Sequence, residues 1–314
     1  MRARTAVLLP ALVVAVVIVG YLRAGSGTVV MQAVVTGILS GGIYGLVAMG
    51  LTLIFGVLDI VNFAHGAFLM VAMFVTYSVV HGGGVNPYVA LVVAIAALLA
   101  LGGLVQVGLL NRTMGQPLEN QLLITLGVSL LLTNLALLIY GGDPHSVSIG
   151  RDPGIHILGA VANLSRVLAF AGALLLAAVV FLVLNRTRLG SAIRAVASNH
   201  EGAALVGIDV RKVHVATFAI GTACAGAAGM LVAPFTTVTP SAGDQYTIIA
   251  FVVVVMGSKG NALGALVSGL IVGLVEQFGG ILLPGQSPLL AVFVVFVLVL
   301  FFRPQGLFGR VVRA

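Results

Sequence analysis

The sequence predicts an all-α fold, a polytopic transmembrane helical bundle of about ten segments, and three observations lead to this prediction. Hydrophobic residues make up 60% of the 314-residue chain and charged residues 7%, whereas soluble domains contain roughly 25% charged residues. Residues 167–184 contain no polar side chain, over a length that suits a membrane-spanning helix. A membrane β-barrel would instead alternate apolar and polar residues in segments of about ten. We expect a single transmembrane domain over residues 1–314, with eight segments as the fallback count.

The ten expected segments are apolar stretches separated by charged or turn-forming residues. In chain order they are residues 6–22, 29–55, 64–80, 88–110, 118–140, 167–184, 213–233, 246–256, 262–283 and 289–302. The first is interpreted as an uncleaved span, because Leu22 occupies a position that signal peptidase requires to be small. The eighth covers only about 16 Å at 1.5 Å per residue, so it is either re-entrant or extended toward Asp244. One or two helices are thus expected to be short or broken.

The basic residues predict the orientation of the chain. The loop of residues 185–212 carries five of them: Arg186, Arg188, Arg194, Arg211 and Lys212. By the positive-inside rule this loop is cytoplasmic, and so is the arginine-containing tail after residue 302. Residues 141–165 then form a periplasmic loop, and both termini lie on the cytoplasmic side of the inner (plasma) membrane. Because the net charge of +7 falls in inter-helix loops, it sets orientation, and nucleic acid is excluded as a partner.

Two short β-prone pieces lie within the expected periplasmic loop. Residues 147–149 and 155–157 flank the turn sequence Asp152-Pro153-Gly154. They are therefore predicted to pair around that turn.

A weak internal repeat relates the two halves of the chain. Small residues at a spacing of four recur 184 positions apart: Gly37, Gly41, Gly45 and Gly221, Ala225, Gly229. An aspartate, Asp59 or Asp244, follows each stripe and introduces a short segment. In the expected topology the striped helices run in opposite directions, which is typical of inverted repeats whose interface holds a transport pathway. The stripes themselves favour close helix packing, and the alternative is coincidence in a chain with 41 glycines.

The stretch of residues 50–70, GLTLIFGVLDIVNFAHGAFLM, is unusual because polar residues interrupt an apolar region. It carries Asp59, Asn62 and His65, followed by Gly66. Unpaired polar groups at membrane depth are costly, and glycines release the backbone from helical geometry. The stretch therefore predicts a broken helix that lines a protein-enclosed cavity, and these four residues are the candidates for a translocation pathway. The alternative is a short cytoplasmic loop.

A short helix is predicted within the loop of residues 185–212. Ser198 or Asn199 can cap its start, Glu201 favours its positive N-terminus, and Gly207 can end it. A helix of this length is unstable alone in water. It is therefore expected to pack either on the membrane domain of this chain or on a separate cytoplasmic partner.

Four stretches together resemble the LivH-type permease subunit of branched-chain amino-acid ABC importers. They are residues 50–70, 194–208, 256–276 and 302–309, and the resemblance spans nearly the whole chain. The string DIVNFAHGAFLM is specific to this permease superfamily, which also includes urea and short-amide permeases. A second likeness is to the Glu-Ala-Ala and later glycine of the ATPase-coupling loop, carried by Glu201, Ala203, Ala204, Gly207 and Ile208. Gly202 interrupts that order.

The resemblance implies a subunit of an importer that brings leucine, isoleucine or valine into the cytoplasm. A LivM-like second permease subunit, two cytoplasmic ABC ATPase subunits and an extracytoplasmic substrate-binding protein would complete it within the lipid bilayer. This chain lacks the G-x-x-x-x-G-K-[ST] motif, so we expect no ATP hydrolysis by it. Its histidines lie mostly near loops and show no H-E-x-x-H or equivalent spacing, so we also expect no catalytic residue, cofactor or metal in it.

Two alternatives remain open at this point. One is a urea or short-amide ABC permease of the same superfamily. The other is an ion-coupled secondary transporter that uses the acids Asp59, Asp244 and Glu276 as intramembrane sites. Such a carrier would have no need of a coupling loop.

Overall fold

The structure is a computed structural model that describes residues 26–84, 89–147, 152–282 and 288–309. These ranges contain eleven α-helices and one β-hairpin. The helices are α1 (Gly27–Leu58), α2 (His65–Gly83), α3 (Ala90–Gly108), α4 (Leu118–Tyr140), α5 (Leu164–Arg186), α6 (Arg188–Ser198), α7 (His200–Leu205), α8 (Val210–Val232), α9 (Ala242–Gly257), α10 (Ala262–Leu282) and α11 (Pro288–Phe302). The strands are β1 (Gly154–Ile157) and β2 (Ala160–Asn163). The predicted helical bundle is confirmed.

Nine of the described helices are apolar and correspond to the second to tenth predicted segments. Seven are long and apolar enough to cross a membrane, whereas α9 has 16 residues and α11 has 15. The first predicted segment, residues 6–22, lies outside the described residues. Of the two readings of the eighth segment, the extended one agrees with the structure, because α9 begins at Ala242 and includes Asp244 in its first turn.

The hairpin marks one end of the bundle, which we call the hairpin end. Its turn is formed by Leu158 and Gly159, at φ values of 49° and 85°, as in tight two-residue hairpins. Residues 155–157 therefore pair with β2. The predicted pairing of residues 155–157 with residues 147–149 lies largely outside the described part of the chain, which excludes residues 148–151. Gln32 near the start of α1 donates to Val161 O and accepts from Val161 N–H, both at 2.9 Å.

The opposite end, which we call the loop end, contains α6, α7 and the connections α1–α2 and α9–α10. The long helices run alternately between the two ends along the chain. Of the Lys and Arg residues in the described ranges, Arg166 lies at the hairpin end and the others at the loop end: Arg112, Arg186, Arg188, Arg194, Arg211, Lys212, Lys259 and Arg303. The two ends of the bundle thus differ strongly in charge.

The helices α1 and α10 pack antiparallel at backbone distance. A Cβ atom added to Gly41 would lie 2.7 Å from Leu270 Cα, and one added to Gly37 would lie 2.9 Å from Leu274 Cα. Gly269 and Gly273 approach the backbone of α1 from the other side in the same way. The prediction that this glycine stripe permits close helix packing is confirmed.

The helix pairs repeat between the two halves of the chain. α1 packs on α10 and α9, while α8 packs on α3 and α2. Gly226 of α8 faces Leu98 of α3, and Gly102 of α3 faces Thr222 of α8, so this second pair is also antiparallel. Superposing α1–α4 on α8–α11 in chain order would map each of these pairs onto the other. This is the packing that the internal repeat predicts.

Candidate functional site

The polar stretch begins where α1 ends. Asp59 follows Leu58 with a φ of 58°, a left-handed conformation that aspartate tolerates better than most residues. The chain then leaves helical geometry until α2 starts at His65. Asn62 is buried, and its Oδ1 accepts a hydrogen bond from Ala64 N–H at 3.1 Å. This side chain–backbone bond turns the chain into α2.

His65 brings the start of α2 back into the bundle. Its side chain is fully buried, and Nε2–H donates to Val47 O at 2.9 Å. Val47 lies about three helical turns before the end of α1. The connection therefore folds back along α1 instead of projecting from it, which is the geometry of a broken helix.

Gly66 places α2 against α9. Its N–H donates to Thr247 Oγ1 at 3.0 Å. A Cβ atom on Gly66 would overlap Gly243 O, and a Cβ atom on Gly243 would overlap Gly66 O. The first turns of two helices from opposite halves of the chain thus touch through their backbones, and a larger residue at either position would separate them.

Asp59 has a different environment from the other three candidate residues, Asn62, His65 and Gly66. Its carboxylate forms an ion pair with Lys259, and both side chains are about half exposed, at 57% and 47%. Lys259 Nζ also lies 4.7 Å from the centroid of the Phe55 ring. Nearby, Gly260 N–H donates to Thr52 Oγ1 at 3.1 Å. The structure thus connects the α1–α2 bend to the α9–α10 turn at the loop end, while Asn62, His65 and Gly66 lie inside.

Glu276 and Asp244, the other intramembrane acids of the sequence, are also placed differently from each other. Glu276 on α10 is buried, and its Oε2 accepts a hydrogen bond from Tyr44 Oη of α1 at 2.7 Å. Tyr246 of α9 packs edge-on against Tyr44 with ring centroids 6.3 Å apart. Asp244 is exposed. The buried carboxylate therefore contributes a polar contact between two close-packed helices.

The expected coupling loop contains two helices instead of one. Thr187 caps α6 by accepting from Gly190 N–H at 3.1 Å, and Asn199 caps α7 by accepting from Gly202 N–H at 2.9 Å. The predicted short helix, which begins at Ser198 or Asn199, corresponds to α7, and the amphipathic helix α6 before it was not predicted. Of the two proposed caps for α7, the structure uses Asn199.

Gly207 ends α7 in the predicted way. Its φ is 85°, and its N–H donates to Ala204 O at 3.0 Å, while Ile208 N–H donates to Ala203 O at 3.1 Å. These bonds form a C-terminal cap that requires a left-handed residue. Ala203 is buried against the bundle, so the helix is anchored on the membrane domain of this chain.

The other side of α7 is free of contacts within the described part of the chain. Leu205 is 88% exposed and Val206 is 77% exposed. Glu201 and Ala204 are exposed as well. Two large apolar side chains at the most basic end of a membrane protein form a surface that suits a protein partner.

A cavity of about 540 Å³ opens at the loop end beside α6. It lies between the ends of α1 and α5, the α9–α10 turn and α6. Its polar lining residues are Thr52, Asn185, Arg194, Ser258, Lys259 and Asn261. Asn62, His65 and Gly66 do not line this cavity. They are buried in the interior contacts of the bend.

Sequence reasoning missed the partners of the polar stretch. Lys259, Thr247 and the backbone oxygen of Val47 hold Asp59, Gly66 and His65, and all three come from other parts of the chain. A signal existed only for Lys259, since it is an isolated cation in the short turn between two apolar segments. Thr247 and Val47 have no distinguishing sequence pattern.

Comparison with known proteins gives matches over most of the chain. The family described as branched-chain amino acid transport system / permease component matches residues 33–302. The high-affinity branched-chain amino acid transport system permease protein BraD of Pseudomonas aeruginosa is 28% identical over 297 residues, covering 89% of this chain and 96% of BraD. The protein LivH of Salmonella typhimurium, which carries the same description, is 30% identical over 302 residues, with the same coverage.

A permease for a different substrate class is also similar. The ribose import permease protein RbsC of Escherichia coli is 28% identical over 243 residues, covering 74% of this chain and 73% of RbsC. No solved structure matches this chain.

Proposed function

This chain belongs to the branched-chain amino acid transport system permease family, and on that premise we propose that it is the membrane-spanning subunit of an ATP-driven importer for leucine, isoleucine and valine. ATP would be hydrolysed by partner subunits. The observation that carries the proposal is the pair of exposed apolar residues Leu205 and Val206 on a capped helix at the basic end of the bundle. A permease without its own nucleotide site needs such a surface for an ATPase.

The orientation follows from charge. Eight of the nine Lys and Arg residues in the described ranges lie at the loop end, which the positive-inside rule assigns to the cytoplasm. We place the hairpin end in the periplasm, where a substrate-binding protein would dock. Both termini are then cytoplasmic in an inner membrane.

The coupling loop would transmit ATPase closure through α7. Ala203 packs on the bundle while Leu205 and Val206 face outward, so a force applied to the tip reaches the membrane domain through one short helix. Two ATPase subunits would dock on two such loops, one from this chain and one from a LivM-like second permease.

The bend at Asp59, Asn62, His65 and Gly66 would shape the translocation pathway. Its contacts fix the start of α2 against α9 at Gly243. In inverted-repeat transporters, helices interrupted at the interface of the halves line the substrate path. We therefore propose that these residues set the position of the lining helices, with Asn62 and His65 acting from inside the bundle.

The substrate is tested by uptake. The complex, expressed with the proteins of its own gene cluster, should accumulate labelled leucine, isoleucine and valine, and should not accumulate ribose or urea. Uptake of ribose or urea in place of the amino acids would assign this chain to another branch of the superfamily.

The docking surface is tested by a charge at the tip of α7. The double variant Leu205→Asp with Val206→Asp should insert normally but lose ATPase subunits on purification. Leu158→Asp is the matched control, since Leu158 is 80% exposed at the opposite end. Equal ATPase retention in the double variant and in the control would remove α7 from the docking surface.

A further inference from the structure

We propose that the 540 Å³ cavity beside α6 binds the phosphate head group of an anionic phospholipid from the cytoplasmic leaflet. The cavity joins a basic, polar wall to an apolar rim. Basic recesses between membrane helices on the cytoplasmic side are suited to anionic lipid head groups. The site is separate from the exposed tip of α7 and from the interior bend at Asn62 and His65.

The basic wall comes from two distant parts of the chain. Arg194 projects from α6, and Lys259 from the α9–α10 turn. Arg194 donates to Ser191 Oγ at 3.3 Å, and no carboxylate in the described ranges lies within 4 Å of its guanidinium. Lys259 pairs with Asp59, which does not line the cavity. The wall therefore carries two cations, one of which is paired with an acid outside the lining.

Neutral donors complete the polar wall. Ser258 and Thr52 supply hydroxyl groups, and Asn185 and Asn261 supply amides. An arginine fork with nearby hydroxyl and amide donors matches the oxygens of a phosphate group. The volume lies within the range of small-molecule sites, about 300–1,000 Å³, so a glycerol-phosphate head group can be accommodated.

The rim favours a lipid over a soluble anion. Phe181 of α5, Leu263 of α10 and Phe308 of the tail line the cavity and remain 36%, 52% and 37% exposed. Phe181 and Leu263 belong to helices that are apolar enough to cross the membrane. Acyl chains can pack along this rim while the phosphate enters the polar wall, whereas free phosphate gains nothing from it.

The occupant would contact the helix that leads into the coupling loop. Ile193, Arg194 and Ala197 of α6 form one side of the cavity, and α6 continues into α7 at Asn199. A bound head group would hold α6 against the α9–α10 turn. Anionic lipid would thereby regulate coupling, a consequence that rests on the proposed function, whereas binding itself does not.

Binding is tested on the full chain with its co-purified subunits in nanodiscs of phosphatidylethanolamine with added phosphatidylglycerol. Retained phosphatidylglycerol is counted by native mass spectrometry. The double variant Arg194→Gln with Lys259→Gln should lose retention, by roughly five-fold for each charge removed. Arg188→Gln is the matched control, because it removes a cation from the same helix outside the cavity lining. Arg194→Lys, which keeps the charge, should recover part of the retention.

The substitution Asp59→Asn should change the retention of phosphatidylglycerol in the opposite direction. Asparagine tolerates the left-handed backbone at this position, and the substitution releases Lys259 from its ion pair. Retention of phosphatidylglycerol should therefore rise.

Three results would overturn the proposal. The first is equal retention in the double variant and in Arg188→Gln, and the second is a fall in retention with Asp59→Asn. The third is protection of a cysteine at Asn261 by inorganic phosphate in lipid-free detergent with no protection by phosphatidylglycerol, which would identify a free-anion site. Failure of amino-acid uptake with normal lipid retention would instead count against the proposed function alone.

Discussion

The α1–α10 contact and the α6–α7 loop are held together in opposite ways. In the first, Gly41 and Gly45 bring two long helices to backbone distance, and the close contact extends to Gly37. In the second, two short helices are defined by the caps Thr187, Asn199 and Gly207, and Leu205 and Val206 stay exposed. A larger residue in the α1–α10 contact would force the two helices apart. The α6–α7 loop can exchange the contacts of its exposed side without breaking its own hydrogen bonds.

The difference assigns the two regions to different mechanical tasks. Close-packed interfaces resist deformation, because even one extra methyl group is felt. Locally capped helices at a surface are stabilised by contributions of about 1 kcal/mol each, so a partner can determine their position. Under the proposed function, a rigid contact between the halves together with a compliant loop at one end would convert docking at the loop end into movement of whole helices.

The largest loss of stability is expected from a substitution in the α1–α10 contact. Gly41→Ala adds a methyl group where 2.7 Å separates the built Cβ from Leu270 Cα, so α1 and α10 must move apart. We expect a loss of about 3 kcal/mol or more, at the upper end of overpacking costs, seen as a large fall in the melting temperature of the purified complex.

Gly103→Ala on α3 is the matched control for that substitution. A Cβ at Gly103 meets nothing within 4 Å, and alanine is the better helix former by about 1 kcal/mol. The control should therefore be neutral or slightly stabilising. Equal destabilisation by the two substitutions would show that the α1–α10 contact is not a tight one.

The next effect is expected at the bend that belongs to the rigid region. His65→Ala removes the bond to Val47 O and leaves a buried cavity, for a cost of about 2–3 kcal/mol. Leucine uptake should fall while the subunit still inserts. His81→Ala, at an exposed position near the end of α2, should leave uptake unchanged, and parental uptake in His65→Ala would favour the short-loop interpretation.

A smaller effect on stability, with a clear effect on coupling, is expected in the compliant region. Gly207→Val forces a β-branched residue to a φ of 85°, at about 1–2 kcal/mol. The cost falls on α7, so ATP turnover and amino-acid uptake, measured together in liposomes, should become uncoupled with little change in melting temperature.

Gly115→Val is the control for Gly207→Val, because it introduces the same backbone strain outside the loop that contains α7. Gly115 has a φ of 83° and equally open surroundings, but it lies between α3 and α4. The Gly115→Val variant should be strained to a similar degree, while its ATP turnover and amino-acid uptake stay coupled. If Gly207→Val and Glu201→Ala both keep normal, substrate-stimulated turnover with normal uptake, the loop has no part in coupling.

The smallest change in melting temperature is expected at Asp209, the N-terminal cap of α8, which joins this helix to the α6–α7 loop. The N–H of Lys212 donates to Asp209 Oδ1 at 3.1 Å. This bond, together with the Lys212 side chain, holds the pKa of Asp209 below its ordinary value of 3.8. Because the pKa is lower in the folded chain, the cap stabilises fully above pH 3.8 and is lost as the pH falls further. Asp209→Asn keeps a capping oxygen and should melt close to the parent at pH 7, whereas Asp209→Ala should melt lower.

The sequence predicted the regions in which the fold depends on composition or on local chemistry. Apolar stretches placed nine helices within a few residues, and the Asn199 and Gly207 caps of α7 followed from short-range backbone rules. The helix α6 was missed, because the cap, the charge and the terminating glycine on which the helix prediction rested all belong to α7. The pairing of β1 with β2 was not predicted, because the turn sequence at Asp152 outweighed the less obvious turn at Leu158 and Gly159.

The candidate site was predicted as a set of residues but not as a geometry. Nothing in the spacing of Asp59, Asn62 and His65 shows that the first is exposed and the other two are buried. Their environments are determined by Lys259, Val47 and Thr247, and contacts over such sequence separations depend on how the halves pack. Whether these residues shape the pathway stays a prediction that uptake measurements decide.

The reciprocal pairing of the halves affects how the chain is made. Gly41 reaches its partner Leu270 only after about 230 further residues have been synthesised, which takes roughly 10 to 50 seconds at cellular rates. Until then the glycine face of α1 has no helix of its own chain to cover it, and α3 likewise waits for α8. The early helices must therefore remain in the membrane, or against the insertion machinery, as loosely associated units. Chains truncated before α10 should be recognised by quality-control proteases, so expression yield reports on the last third of the sequence more than on the first.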